Sequence, residues 1–498
     1  MATSYLTYLP RLTRSNAKSI FPTVLAVALT IANAPYGNAI LTYLLIVVFT
    51  ALSLGFSRST PALAEGQPSE QADAVLLPTV AVRELPALEP TSTSGRLVYL
   101  DTLKACLTLV VILHHVLGAF AGTGSLGLSV GDFRNALQPI LSTVQVLNQS
   151  YFMSLFFFIS AYFAPSSVAR KGARGFLRDR CTKLGAPFAV FLLLLGPLCV
   201  LVLLAAKQEP LAYVNYTGPL WFVVYLGLFS YAYACVAEDG GAQAYLVQPL
   251  PSPLTLAGAG LALGLAQGLQ LLFFPLFPLM PITFASLPLD LAAYCAGILA
   301  RRNGWLAQPL PPSLVLPARA YSLAFALALA ALYATLYSAG GGYFLLSTNA
   351  CGSPADRGSS SPLGTAIPLL LALCTASGGF TVSMSITALD LFRGLGQQQQ
   401  QPSRLMAFLS ANAYAAYLLH PLVVFPATWG FVAAVRGTGR AVSWEAGASD
   451  SASCLSSSGS GQEGVLVAGL AAVATVAVLG TYALAAAVRL IPGTERYL

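Results

Sequence analysis

The sequence predicts an all-α, polytopic membrane helix bundle of about ten transmembrane helices. Three observations carry this. Only 9% of the 498 residues are charged, 56% are hydrophobic, and mean hydropathy is +0.72. A soluble domain carries about 25% charged residues, so this chain cannot build a water-facing surface of its length. Apolar runs of about 20 residues recur, the length a bilayer-crossing helix needs. The runs are continuous rather than alternating, which favours helices over barrel strands, the two ways of satisfying the backbone in lipid. The net charge of +7 comes from basic residues beside apolar runs. That pattern is a topology signal rather than a nucleic-acid footprint, and no nucleic-acid module is recognisable.

Residues 1–60 contain Lys and Arg but no Asp or Glu, with an apolar stretch over 40–56 behind Pro35, Tyr36 and Gly37. An extra N-terminal helix, an organelle targeting segment and a misassigned gene start are all open readings. Residues 61–95, rich in Ser, Pro, Ala and Glu, read as a disordered linker. The transmembrane domain is expected over 96–492. Its spans begin near Thr102, Val144, Leu184, Thr217, Leu254, Ile282, Ala318, Gly364, Met406 and Gly464. Low-complexity insertions are expected near 394–403, with a Gln run, and near 446–463, rich in Ser and Gly.

The segment after the second span reads ARKGARGFLRDRCTK and holds Arg170, Lys171, Arg174, Arg178, Arg180 and Lys183 against the acid Asp179. Read as a loop, it is cytoplasmic by the positive-inside rule. Arg301, Arg302, Arg393, Arg404 and Arg496 reach the same face if ten spans alternate. The opposite loops carry two glycosylation sequons, at 148–150 and 215–217, and also Cys351 and Cys454. A disulfide between those two and a pair of free thiols are both open. Cys106, Cys199, Cys235, Cys295 and Cys374 read as small core hydrophobes. No CxxC or Cys/His cluster suggests a metal.

The chain has three His: His114, His115 and His420. All fall in apolar spans, where ionisable side chains are costly and usually face the bundle interior. In the first span, Lys104 and His115 lie eleven positions apart. They share a helix face to within about 20°, separated by a rise of roughly 16 Å. With Asp101 they form a polar stripe running inward, a candidate tunnel wall. Interfacial capping and snorkelling explain Asp101 and Lys104 equally well, but not His115. His114 points to another face. In the second span, Phe156, Phe157 and Phe158 precede Ser160, a small residue able to donate a hydrogen bond. Trp221 opens the fourth span and fits an interfacial aromatic belt. In the ninth, Tyr417 and His420 share a face, with Tyr414 one turn nearer the basic side.

The segments YLDTLKACLTLVVILHH, FFFISAYFAPSSVARKGARGFLRDR, GPLWFVVYL, LDLAAYCAGILARRNGWL and AYAAYLLHPLVV, in this order, resemble the membrane acyltransferase 3 family, of the O-antigen acetylase type. The resemblance implies an O-acyltransferase with about ten transmembrane helices. It would move an acyl group, often acetyl, from a cytoplasmic donor such as acyl-CoA to a hydroxyl of a carbohydrate, lipid or small metabolite. Acyl-CoA is then a co-substrate, and no bound cofactor is expected. The family's first span carries an Arg, ten intervening residues and a His; here the His is His115 and Lys104 stands in the Arg position. Lysine still meets phosphate, without the bidentate fork of arginine. The family's Ser-Gly is Ser160 and Ala161 here.

On that basis His115 is the expected base for the acceptor hydroxyl, with His420 and Ser160 completing the catalytic set. Lys104, Arg178, Arg180 and Lys183 would hold the donor's phosphates. Asp101, Tyr414, Tyr417 and Trp221 would line the substrate tunnel, the tyrosines also as oxyanion donors. A transporter, a channel and an inactive scaffold are the competing classes. The membrane, whether plasma membrane, endomembrane or plastid, is not legible.

Overall fold

In lipid the backbone must satisfy itself, and among the described residues every regular element is helical. The computed structural model describes residues 97–121, 137–207, 218–238, 248–273, 286–338, 363–398, 403–437 and 462–498. The N-terminal segment and linker, the sequon at 215–217, Cys351, Cys454 and residues 446–461 of the expected 446–463 insertion lie outside these.

The order is α1 (Val98–Phe120), α2 (Leu137–Tyr162), α3 (Ala164–Arg180), α4 (Ala186–Val190), α5 (Gly196–Lys207), α6 (Leu220–Glu238), α7 (Pro253–Phe273), α8 (Leu287–Arg302), α9 (Pro312–Ser338), α10 (Leu363–Gln398), α11 (Arg404–Leu419), α12 (Pro421–Gly437) and α13 (Gln462–Arg489). π-helical turns at Cys181–Gly185 and Phe191–Leu195 join α3 beyond Gly172, α4 and α5 into one continuous helical run. Pro187 and Pro197 follow those turns. Neither can donate to the carbonyl four residues back, and the backbone widens there instead of breaking.

Among the described residues, seven helices are long and apolar enough to cross a membrane, or up to eight if α11 and α12, bent by 68° at their junction, count as one span. The expected count of about ten is therefore not confirmed. The difference lies in α2 and α8. The first half of α2 is diluted by Gln138, Ser142, Thr143, Gln145, Asn148 and Gln149. α8 has 16 residues, short of the roughly 20 a crossing needs. Yet the two pack against each other in the bundle's centre, with α2 also against α1 and α10. A Cβ on Gly297 of α8 would stand 2.2 Å from the Phe158 carbonyl of α2, so only glycine allows that approach.

Three expectations are corrected. The basic segment is not a loop: Arg170, Lys171, Arg174, Arg178 and Arg180 lie on α3, which bends at Gly172 (φ 69°). The sequon at 148–150 is inside α2, and Ser150 is buried, with its hydroxyl donating to Val146 O. The insertion near 394–403 begins within α10, which runs to Gln398.

The basic residues do gather at one end. Arg393 donates to the carbonyls of Leu306 (2.9 Å), Ala307 (3.1 Å) and Gln308 (2.7 Å), beyond α8, and lies 5.8 Å from the Tyr99 ring at the start of α1. Arg301 Nε donates to Ser166 Oγ at 2.7 Å near the start of α3. Arg302 stacks over Tyr233 at 5.7 Å.

Candidate functional site

The site is built where α1 meets α11. Ser410 Oγ donates to Asp101 O at 3.3 Å near the basic end. Deeper in, Gln145 Nε2 of α2 donates to the His114 carbonyl at 3.3 Å. These contacts bring together two imidazoles from distant parts of the chain. The rings of His115 and His420 are stacked, with centroids 4.9 Å apart and planes within 21°. His114 meets His115 edge-on at 5.5 Å and packs against Phe152 at 5.3 Å.

His420 is not inside a continuous helix. It occupies the break between α11 and α12, fully buried. Its Nδ1 lies 2.7 Å from the Tyr417 carbonyl, and its Nε2 is buried with no hydrogen-bond partner among the described residues. The Tyr417 ring is 6.2 Å from that of His420, and its hydroxyl donates to Pro219 O before α6. One turn toward the basic end, the Tyr414 hydroxyl donates to Lys183 O at 2.7 Å. That carbonyl is the one Pro187 cannot serve from four residues on.

At the basic end, Lys104 Nζ pairs with Asp101 at 2.8 Å and lies 5.5 Å over the Phe163 ring, just past α2. Arg180 is half-buried, donates to Ser160 O at 3.5 Å and lies 5.1 Å over the Phe176 ring. A cation thus sits between the end of α2 and α3. Among the described residues, no three His, Cys, Asp or Glu side chains are placed to hold a metal ion.

The geometry is a stacked imidazole pair, His420 buried and His115 half-buried, at the inner end of two inward-running polar stripes, with cations at the other end. The model of the acyltransferase 3 family, described as an acyltransferase domain, matches residues 97–484. The chain belongs to this family. No curated protein and no solved structure matches it.

For a membrane acyltransferase, the expected residues divide into those gathered at the site and those left outside it. His115, His420 and Tyr417 are in one cluster, and Ser160, Arg180 and Tyr414 in a second. Asp101 and Lys104 pair with each other rather than with His115. Arg178 is exposed on α3. The Lys183 ammonium reaches Asp179 at 3.7 Å, so that residue meets the second cluster through its carbonyl alone. Trp221, read as belt or tunnel wall, lies in an aromatic cluster, 6.0 Å from Tyr225 and 6.4 Å from Phe157. Phe157 itself is fully buried, 4.6 Å from Phe222.

Sequence reasoning passed over Asp290. It is fully buried in α8, where Ser154 Oγ donates to one carboxylate oxygen at 2.7 Å and Ser286 Oγ to the other at 2.6 Å. The signal was present: an acid inside the apolar run LPLDLAAYCAGILA is costly without donors.

Proposed function

We propose that the chain is an O-acyltransferase that takes an acyl group from acyl-CoA at the basic, cytoplasmic end of the bundle and passes it to a hydroxyl of a carbohydrate, lipid or small metabolite. Family membership supports acyl transfer in general. The observation that carries the finer reading is the stacked pair His115 and His420 at 4.9 Å, at the inner end of the stripes.

Acyl transfer to a hydroxyl needs a base for the proton and donors for the tetrahedral oxyanion. A neutral imidazole of the pair supplies the base near neutral pH. Tyr417 and the second imidazole are the nearest donors. Lys104 and Arg180 attract the donor's phosphates at the mouth, leaving the acyl thioester to reach inward. Arg178, exposed on the same helix, adds to the attractive field.

The break at His420 favours a second reading, since broken helices at mid-membrane also mark carriers. One experiment separates them. Purified protein in proteoliposomes is given acyl-CoA and a panel of hydroxyl acceptors, and thiol release is followed beside uptake. Thiol release that requires an acceptor supports the acyltransferase. Uptake of a polar solute without thiol release overturns it.

A further inference from the structure

The break that places His420 also fixes which of its nitrogens can work. In an α-helix the carbonyl of residue 417 accepts from the backbone N–H of residue 421. Residue 421 is proline and has no N–H. On either side, His420 N donates to Ala416 O at 3.0 Å, and Val423 N and Val424 N both turn to His420 O, at 3.0 and 2.8 Å. The Tyr417 carbonyl is thus left by the backbone and taken by His420 Nδ1 at 2.7 Å. A carbonyl oxygen only accepts, so Nδ1 carries the ring proton. The neutral imidazole holds one proton, and Nε2 is left with a bare lone pair. This Nε2 is the buried atom that has no partner among the described residues.

We propose that Pro421 is a positioning residue for acyl transfer: by withholding one backbone N–H it makes the Tyr417 carbonyl hold the His420 Nδ1 proton, so that His420 Nε2 is the base. The inference rests on the acyltransferase reading above. It moves the proton-accepting role from His115 to His420 and leaves His115 as the stacked second imidazole. The acceptor's O–H bond breaks as its proton passes to His420 Nε2, and its oxygen bonds to the thioester carbonyl carbon. The tetrahedral adduct then expels the thiolate by cleaving C–S, and the thiolate takes the proton back from Nε2. The products are the ester and the free thiol of CoA, with His420 returned to its starting tautomer.

The test uses the full chain in lipid bilayers with 15N-labelled histidine, which marks three residues only. In the wild type, the signals lost in His420→Asn are expected to be those of a protonated Nδ1 and a bare Nε2. Assignment of the proton to Nε2 overturns the proposal without any other variant. Asparagine presents an amide near the Nδ1 position, so His420→Asn keeps a donor for Tyr417 O. It is expected to fold and to lose turnover.

Pro421→Ala restores the N–H. It is expected to lower kcat about tenfold while KM for acyl-CoA stays within about twofold, and to mix the His420 tautomers. Pro426→Ala, inside α12 beyond the break, is expected to change none of these. Pro421→Ala with wild-type kcat and an unmixed tautomer overturns the proposal. A wild type that carries the expected tautomer but turns over no acyl-CoA overturns the acyltransferase reading instead and leaves the tautomer assignment standing.

Discussion

The α1/α11 seam and the α7/α10 seam are both tight and both buried, but they are built from opposite materials. Between α7 and α10 the contact is backbone on backbone. Gly260, Gly264 and Gly268 face α10, and a Cβ on Gly264 would lie 2.3 Å from Cys374 O. Around α1 and α11 to α13 the contact is side chain on side chain. There the buried Tyr99 hydroxyl, His114 Nδ1, His420 Nε2, Thr428 and Thr481 hydroxyls and Tyr482 hydroxyl lack hydrogen-bond partners among the described residues. Elsewhere among the described residues only Gln267 on α7 shares that condition. An unsatisfied buried polar atom costs about 1–3 kcal/mol. A bundle that tolerates several on one side and almost none on the other keeps its chemistry and its scaffold apart.

The sharpest way to break that division is His115→Ala. Loss of the imidazole stacked on the base is expected to reduce acyl-CoA turnover by about 100-fold, the lower end of the scale for acid–base help, since the variant disturbs His420 without removing it. Membrane insertion and the thermal midpoint should stay close to wild type. Full turnover in this variant would mean that His420 works without its stacked neighbour.

Gly378→Leu tests the other side. A Cβ there already stands 2.1 Å from Gly260 O and 2.6 Å from Gly264 N, so a leucine must part α7 from α10. Overpacking costs about 1–3 kcal/mol. The expected result is a lower thermal midpoint and less folded protein in detergent, with turnover per folded molecule near wild type. Equal stability would mean the two helices are not held at this distance.

Lys104 links the comparison to the donor. Lys104→Ala is expected to raise KM for acyl-CoA by up to about tenfold with kcat little changed, and Lys104→Arg to restore it, since either cation meets phosphate. A fall in kcat alone, with KM unchanged, would move Lys104 from the mouth to the chemistry.

How much of this was legible in the sequence follows from the kind of signal each part leaves. The all-helical membrane fold was legible, because apolar length is written residue by residue. That α2 and α8 would be less apolar or shorter than a lipid-facing span was not, because they are packed by neighbouring helices and need not be apolar throughout. That His115 and His420 face the bundle interior was legible from the cost of an imidazole in an apolar run. That they touch was not, since their helices lie at opposite ends of the domain. The Pro421 break was visible as HPLVV, but its consequence needs the position of the Tyr417 carbonyl. Asp290 was hidden because its partners, Ser154 and Ser286, are ordinary in sequence and meaningful only when α2 and α8 meet.

The smallest effect is expected where α11 is tied to the basic end of the bundle. Tyr414 joins α11 to the π-helical turn after α3 through one hydrogen bond of 2.7 Å to Lys183 O. A single neutral bond contributes about 0.5–1.5 kcal/mol. Tyr414→Phe keeps the ring and removes only that bond. If the bond merely holds two helices together, the thermal midpoint falls slightly and the kinetic constants do not move. If it sets the spacing between Arg180 at the mouth and His420 within, KM for acyl-CoA rises a few-fold while the midpoint barely changes. Because the bond anchors α11 six residues before His420, the second outcome is the one expected, and comparing KM with the midpoint of the same preparation decides between them.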